Sequence, residues 1–228
     1  KTIYSGMEEE QRKLYLAAHK QLVDQLQGID SAYYEKNKIF ILSQLTKLRQ
    51  ICCHPALCYD DYQGSSAKLE ACMELVQRAV KGKHKVLLFS QFTSMLDLIR
   101  ERLAEQNTKY YCLTGNTDKQ ERQRLVDEFQ NDDTPVFLIS LKAGGTGLNL
   151  TAADIVIHYD PWWNVAAQNQ ATDRAHRIGQ KNTVTVYRLI AKDSLEEGII
   201  KLQESKKALS DDIPVSYTHL RAHETELH

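Results

Sequence analysis

Two stretches of the sequence combine residue types that bind phosphate groups, and the first of them is rich in glycine. It reads Ser140-Leu-Lys-Ala-Gly-Gly-Thr-Gly-Leu-Asn-Leu150 and follows a short apolar run. Because glycine has no side chain, backbone N–H groups in such a loop can approach an anion closely. The chain has no Gly-x-x-x-x-Gly-Lys-Ser/Thr segment, so this is not a Walker A loop. A tight turn between a strand and a helix would use the same glycines, and both interpretations stay open.

The second stretch is Gln170-Ala-Thr-Asp-Arg-Ala-His-Arg-Ile-Gly-Gln180, which holds two arginines three residues apart. We predict a helix over 164–177, on which Arg174 and Arg177 share one face. Two guanidinium groups on one face can hold a phosphate through bidentate hydrogen bonds and stabilise the charge of a phosphoryl group in transfer. Two arginines on a solvated helix face would show the same spacing, so the pair alone does not distinguish a phosphate site from a solvated face.

Short apolar runs alternate with amphipathic stretches after Lys85, which predicts a doubly wound α/β fold with a parallel sheet. The predicted strands cover 86–90, 110–113, 136–140, 155–159 and 184–189. The predicted helices cover 92–106, 117–130, 164–177 and 195–209. In such sheets ligands bind beyond the carboxyl ends of the strands, so we expect the chemistry at that edge.

The chain before this sheet is predicted to be helical. Apolar residues recur every four positions from Leu14 to Leu26 and every three from Leu42 to Ile51, and a third helix runs from Ser66 to Gly82. We therefore divide the chain into a helical segment, an α/β lobe and a closing helix. Their ranges are 1–65, 66–192 and 193–213.

The last residues, 214–228, have no helical or strand periodicity and carry three of the eight histidines. Their string resembles the translation of a sequencing adapter, and we expect it to be foreign to the native protein. A natural disordered tail is the alternative. Since the chain also does not open with Met, we expect it to be a fragment of a longer protein.

Composition and charge limit the classes of protein to consider. The chain has 228 residues, with 29 Lys and Arg against 30 Asp and Glu. Its net charge of -1 attracts no nucleic acid globally, so DNA binding would need a local patch. No run of about 18 apolar residues and no signal segment occurs, and we expect neither a membrane span nor secretion.

The five cysteines are an odd number without repeated Cys-x-x-Cys pairs, which favours reduced thiols over a disulfide framework. Cys52, Cys53, His54 and Cys58 lie close in sequence and could suggest zinc. Adjacent cysteines chelate poorly and no second well-spaced pair occurs, so we favour packing and expect no metal site.

Six ordered blocks of the chain resemble one known family, the carboxy-terminal RecA-like lobe of Swi/Snf-type DNA-dependent ATPases of helicase superfamily two. The resemblance covers residues 1–213. The blocks are Leu45-Thr-Lys-Leu-Arg-Gln-Ile-Cys-Cys-His-Pro55, Lys85-Val-Leu-Leu-Phe-Ser-Gln-Phe-Thr93, Leu113-Thr-Gly115, 140–153, Asp160-Pro-Trp-Trp-Asn164 and Asp173-Arg-Ala-His-Arg-Ile-Gly-Gln180.

The resemblance implies that Arg174 and Arg177 are arginine fingers, which reach the phosphates of ATP bound on another lobe. Gln170 and Asp173 would then hold the arginine helix in register. By the same similarity, two residues of the glycine-rich stretch would touch the nucleotide side of the cleft and couple it to DNA. These are Gly147 and Asn149.

The resemblance also implies contacts with the phosphates of double-stranded DNA, largely independent of base sequence and sensitive to salt. Seven residues match the family's DNA-contacting positions: Ser90, Gln91, Thr114, Gly115, Ser140, Lys142 and Trp163. Trp162 is expected to pack, and Val165 stands where relatives often have Pro.

ATP and Mg²⁺ are the implied cofactors, held mainly by an N-terminal RecA-like lobe of the same protein. This chain lacks the Walker lysine, and Asp127-Glu128 lies inside a predicted helix rather than after a strand. The predicted function is the second motor lobe of a DNA translocase, inactive alone. The alternatives are a non-catalytic module that binds DNA or a partner, and a strand-separating helicase. We expect a cytoplasmic protein, associated with the nucleoid in a bacterium or nuclear in a eukaryote.

Overall fold

The structure is a computed structural model that describes the backbone of residues 1–27, 31–143, 148–176, 179–180 and 182–211. The side chains of 31–35 and 206–211 are not described either. Three parts of the sequence-based predictions therefore lie outside the described residues. They are the site residues Gly147 and Arg177 and the tail 214–228.

Six parallel strands form one sheet in the order β1-β6-β5-β2-β4-β3. The strands are β1 (Thr2–Ser5), β2 (Val86–Ser90), β3 (Tyr110–Leu113), β4 (Val136–Ser140), β5 (Ile155–His158) and β6 (Thr185–Ala191). Every residue of β2 and β4 is buried, because both faces of the sheet are covered, and this explains their continuous apolar sequence. The predicted α/β class and its parallel sheet are confirmed.

Seven α-helices accompany the sheet in the described residues. They are α1 (Glu9–Leu26), α2 (Ser31–Cys53), α3 (Ala67–Lys81), α4 (Thr93–Glu105), α5 (Lys119–Asn131), α6 (Val165–Thr172) and α7 (Leu195–Asp211). Helices α3 and α4 pack on one face of the sheet and α5 on the other. None of the helices in the described ranges is long and apolar enough to cross a bilayer.

The predicted start of α5 is too early in the sequence. The helix begins at Lys119 rather than at residue 117, because the Asp118 carboxylate accepts hydrogen bonds from the N–H groups of Gln120 and Glu121, each at 2.9 Å. A residue that caps a helix with its side chain has extended backbone angles and stands outside the helix.

The helix predicted over 164–177 is wrong beyond Thr172, where α6 ends. After it, the N–H groups of Arg174 and Ala175 donate to carbonyls three residues back, at 3.3 and 3.1 Å, which tightens the chain into a turn. The Arg174 carbonyl then accepts the N–H of Leu150 at 3.1 Å. Arg174 therefore lies beyond the helix on which we placed it, and its carbonyl is bound by a residue distant in the sequence.

Strand β1 was not predicted, since residues 1–65 were assigned to a helical segment. It pairs in parallel with β6, from Thr2 opposite Arg188 to Ser5 opposite Ala191, and forms one edge of the sheet. The helices that follow still form a unit of their own, in which α1 and α2 pack together beside α7. The helical segment is therefore anchored to the lobe through a strand.

A buried ion pair joins the lobe to the closing helix. The Lys68 ammonium at the start of α3 lies 2.7 Å from both carboxylate oxygens of Glu196 in the first turn of α7. The two side chains are 2% and 1% exposed. Glu196 also accepts the N–H of Ala191 at 2.7 Å, and the ammonium lies 5.1 Å from the ring centre of Tyr159. The pair therefore fixes α3, α7 and the ends of β5 and β6 relative to one another.

We predict that Lys68→Met destabilises the chain by about 3–5 kcal/mol, because it leaves the Glu196 carboxylate buried without its cation. The double variant Lys68→Met/Glu196→Gln should cost less than the sum of the two single variants, since it removes both charges. Urea unfolding followed by circular dichroism measures these differences. Lys13→Met, at an exposed lysine paired with Glu9 and Glu10, is the control and should leave the unfolding midpoint unchanged. Additive costs of the two buried changes would contradict the account.

Candidate functional site

The carboxyl edge of the sheet is organised around Asp160, which is 2% exposed. Its carboxylate accepts the hydroxyl of Ser90 at 2.5 Å and both the backbone N–H and the side-chain amide of Gln91. The same Ser90 oxygen accepts the N–H of Phe92 at 3.2 Å. Because Ser90 ends β2 and Asp160 follows β5, these bonds fix the ends of two neighbouring strands.

The segment 160–164 that follows is held by polar side chains from two helices. The Gln168 side chain in α6 accepts the N–H of Trp162 at 3.2 Å, and the Gln203 amide in α7 donates to the Trp162 carbonyl. Asn164 caps α6 with its side chain. The Trp163 side chain, by contrast, is 45% exposed. A fixed backbone thus presents an aromatic ring at the sheet edge.

The two candidate phosphate-binding stretches of the sequence contact each other. The bond between Leu150 and the Arg174 carbonyl joins the end of the glycine-rich stretch to the arginine stretch. The Gln180 side-chain amide reinforces the junction by donating to three carbonyls, those of Thr151, Ala153 and Ala175, at 3.0, 2.8 and 3.0 Å. Arg174 itself is 1% exposed, so its guanidinium lies inside the lobe in this structure.

Three other residues assigned to nucleotide contact are described by the structure, and all three are exposed. Asn149 lines a cleft of about 740 Å³ together with Lys119, Arg122 and Gln123 of α5. Gln170 and Asp173 are at the surface, and the described contacts that fix α6 come from Gln168 and Asn164 instead. The proposed role of Gln170 and Asp173 stays a prediction.

The residues assigned to DNA contact lie at the ends of β2, β3 and β4, as the parallel sheet requires. Gly115, Lys142 and Trp163 are exposed, and Gln91 and Thr114 are half-buried. Ser90 and Ser140 are buried, and the Ser140 hydroxyl accepts the N–H of Ala143 at 3.4 Å. The exposed positions can reach a ligand directly, whereas the two serines are engaged inside the lobe.

His158 connects β5 to α6 from inside the core. Its ring stacks on Phe89, and Nε2 lies 2.9 Å from the Thr172 hydroxyl. Burial, assisted by the nearby Arg188 cation, lowers the pKa of His158 to about 3. The imidazole is therefore neutral in the fold and has a structural role.

Nothing in the described part of the chain gathers three His, Cys, Asp or Glu side chains where they could hold a metal ion. Cys52 and Cys53 are fully buried, and burial raises the pKa of both thiols. At the edge the exposed Lys142 cation suits a phosphate. The Asp160 carboxylate is buried and already accepts hydrogen bonds from Ser90 and Gln91.

Comparison with known proteins agrees with the family resemblance found in the sequence. The family model for the helicase conserved C-terminal domain matches residues 67–179. An uncharacterized ATP-dependent helicase of Mycoplasma pneumoniae is 40% identical over 211 residues, which are 91% of this chain and 20% of that protein. The putative ATP-dependent helicase/translocase YwqA of Bacillus subtilis is 43% identical and is covered to 22%. The chain spans about a fifth of the length of these relatives.

Two solved structures from Sulfolobus solfataricus share the fold. The SWI2/SNF2 ATPase C-terminal domain is 35% identical with a TM-score of 0.76, and the match covers 93% of this chain and 88% of that one. The SWI2/SNF2 ATPase core in complex with double-stranded DNA is 37% identical with a TM-score of 0.78. That match covers 95% of this chain and 46% of the core.

We predict that His158 makes the lobe sensitive to acid. Because its pKa is lower in the fold than in the unfolded chain, the unfolded chain takes up the proton first as the pH falls below about 6.5. Stability should therefore fall by about 1.4 kcal/mol per pH unit from this group alone, down towards the folded pKa. Urea unfolding at pH values from 7 to 4.5 measures the slope.

His158→Gln, which keeps a polar atom near Thr172, should flatten that slope relative to the unsubstituted chain. His19→Gln, at an exposed position of α1, is the matched control and should leave the slope as it is. Equal slopes for the chain and His158→Gln would show that His158 is not the titrating group.

Proposed function

This chain belongs to the family of SWI2/SNF2 ATPase C-terminal domains, with their RecA-like fold, and on that premise we propose that it is the second motor lobe of an ATP-dependent translocase on double-stranded DNA. The observation that carries the proposal is the contact between the glycine-rich and arginine stretches through Leu150 and Arg174. The lobe would supply charge and phosphate contacts, and another lobe would bind the nucleotide.

The contribution to ATP hydrolysis would be electrostatic. A guanidinium placed against the transferring phosphoryl group stabilises the charge that develops there. Arg177 and Arg174 are the residues proposed for this role. Since Arg174 is buried in the lobe as it stands, its guanidinium would need a change at the edge to reach a nucleotide, such as closure against the other lobe.

The contribution to DNA binding would come from the exposed positions at the same edge. Gly115 offers a backbone N–H, Lys142 a cation and Trp163 an aromatic ring. Thr114 and Gln91 are half-buried positions at the same edge. Contacts of this kind hold phosphates and carry no base information. The relative solved in complex with double-stranded DNA supports the duplex as the ligand. Mg²⁺ would be held by the other lobe, since the Asp160 carboxylate of this edge is buried and engaged by Ser90 and Gln91.

The test of this proposal is Arg177→Ala in the two-lobe protein, meaning this chain preceded by its nucleotide-binding lobe. We expect the rate of DNA-stimulated ATP hydrolysis to fall about 10³-fold or more, the effect typical of an arginine finger. Affinity for duplex DNA should stay within about twofold, because the DNA contacts lie elsewhere on the edge.

His176→Ala, at the exposed neighbouring residue, is the control and should keep most of the activity. If Arg177→Ala hydrolysed ATP at the unsubstituted rate, Arg177 would lose the proposed role. If the unsubstituted two-lobe protein bound duplex DNA without hydrolysing ATP, the chain would be a non-catalytic binding module.

A further inference from the structure

Arg49, in the C-terminal half of α2, is a charged residue in an apolar setting. Its side chain is 7% exposed, and it lies on the helix face that also carries the buried Leu48 and Cys52. One guanidinium nitrogen donates to the Pro161 carbonyl at 2.8 Å. Within the part of the chain that the structure describes, the Nε atom of Arg49 has no hydrogen-bond partner.

Two aromatic rings contact the same guanidinium. Its carbon lies 5.5 Å from the ring centre of Trp163 and 5.9 Å from that of Phe92. Contacts at these distances attract a cation, and a desolvated arginine favours them because its planar group can lie against a ring. Arg49 therefore joins α2 to two segments of the sheet edge, one after β2 and one after β5.

The energy of this arrangement indicates that the charge has a use. A buried guanidinium that keeps an unpaired nitrogen costs free energy, and an apolar side chain of similar length would avoid that cost. What an apolar residue could not supply is the bond to Pro161 and the attraction to Trp163. Both act on the segment 160–164, which is otherwise held by Asp160, Gln168 and Gln203.

We infer that Arg49 is a positioning residue, which sets the place of Trp163 at the sheet edge and so links the helical segment to the proposed DNA surface. The inference rests on the proposed function, because it assumes that Trp163 serves DNA-stimulated hydrolysis. Movement of α2, which belongs to the segment between the proposed lobes, would pass to Trp163 through the Arg49 side chain.

Arg49→Met tests the role, since methionine fills much of the volume without the charge or the donors. In the two-lobe protein we expect the stimulation of ATP hydrolysis by duplex DNA to fall about tenfold, within the range of coupling changes seen for residues between sites. Hydrolysis without DNA and the KM for ATP should change less than about twofold. Arg78→Met, at an arginine that is 78% exposed, is the matched control and should change neither.

Trp163→Leu and the double variant separate positioning from general damage. If Arg49 acts through Trp163, the double variant loses no more stimulation than the larger single loss. Additive losses would overturn the inference, as would full stimulation in Arg49→Met. A two-lobe protein without any DNA-stimulated hydrolysis would overturn the proposed function together with the inference.

Tryptophan fluorescence of this chain alone gives an independent readout, because its two tryptophans, Trp162 and Trp163, both lie in the segment. Acrylamide should quench the tryptophan fluorescence of Arg49→Met more strongly than that of the unsubstituted chain, whereas Arg78→Met should leave the quenching unchanged. If Arg49→Met does not fold, Arg49→Lys replaces it in both assays, since lysine keeps the charge but not the planar group. Unchanged quenching in a folded Arg49 variant would contradict the inference.

Discussion

The ion pair between Lys68 and Glu196 is the constraint on which the carboxyl edge depends. It joins the first turns of α3 and α7, and Glu196 also binds the last residue of β6. The Lys68 ammonium lies against the ring of Tyr159, which follows β5. The Tyr159 hydroxyl in turn donates to the Cys53 carbonyl at the end of α2, at 2.9 Å. Buried pairs of this kind add little net stability compared with apolar packing, but removing one partner is expensive. Its consequence here is geometric, because α3, α7 and the end of β6 must stay in an arrangement that keeps both buried charges paired.

In that arrangement the residues that fix the edge are buried, and the residues that could bind a ligand are exposed. The polar groups of Asp160, Gln168 and Gln203 form hydrogen bonds with the backbone and side chains of the edge itself. Lys142 and Trp163 stay at the surface, where phosphates would approach. A ligand that binds without base recognition needs fixed donors and charge rather than a deep pocket. The proposed motor lobe thus has a rigid frame that carries a few available side chains.

The sequence predicts the frame better than it predicts the junctions. Strands β2 and β4 are uninterrupted apolar runs, which is the pattern of a sheet covered on both faces, and their bounds were predicted correctly. The end of α6 was not, because it is set by the bond between Leu150 and Arg174, two residues far apart in the chain. Strand β1, Thr-Ile-Tyr-Ser, was missed because it lacks the continuous apolar run that identifies β2 and β4.

The polar residues that organise the site were also missed, although two of them carry a signal. Arg49 and Lys68 each occupy a position on the apolar face of an amphipathic helix, where a charge needs a buried partner. Gln180 and Gln203 are harder to identify, because glutamine is mostly found at the surface. The sequence located the edge, and the tertiary contacts determine which of its side chains are available.

The most direct test of the account is the rate of ATP hydrolysis, with and without duplex DNA, by this chain alone and by the same chain preceded by its nucleotide-binding lobe. The account predicts no hydrolysis by the chain alone, since it has no Walker lysine, and DNA-stimulated hydrolysis by the two-lobe protein. Hydrolysis by the purified chain alone would contradict the division of the active site between two lobes.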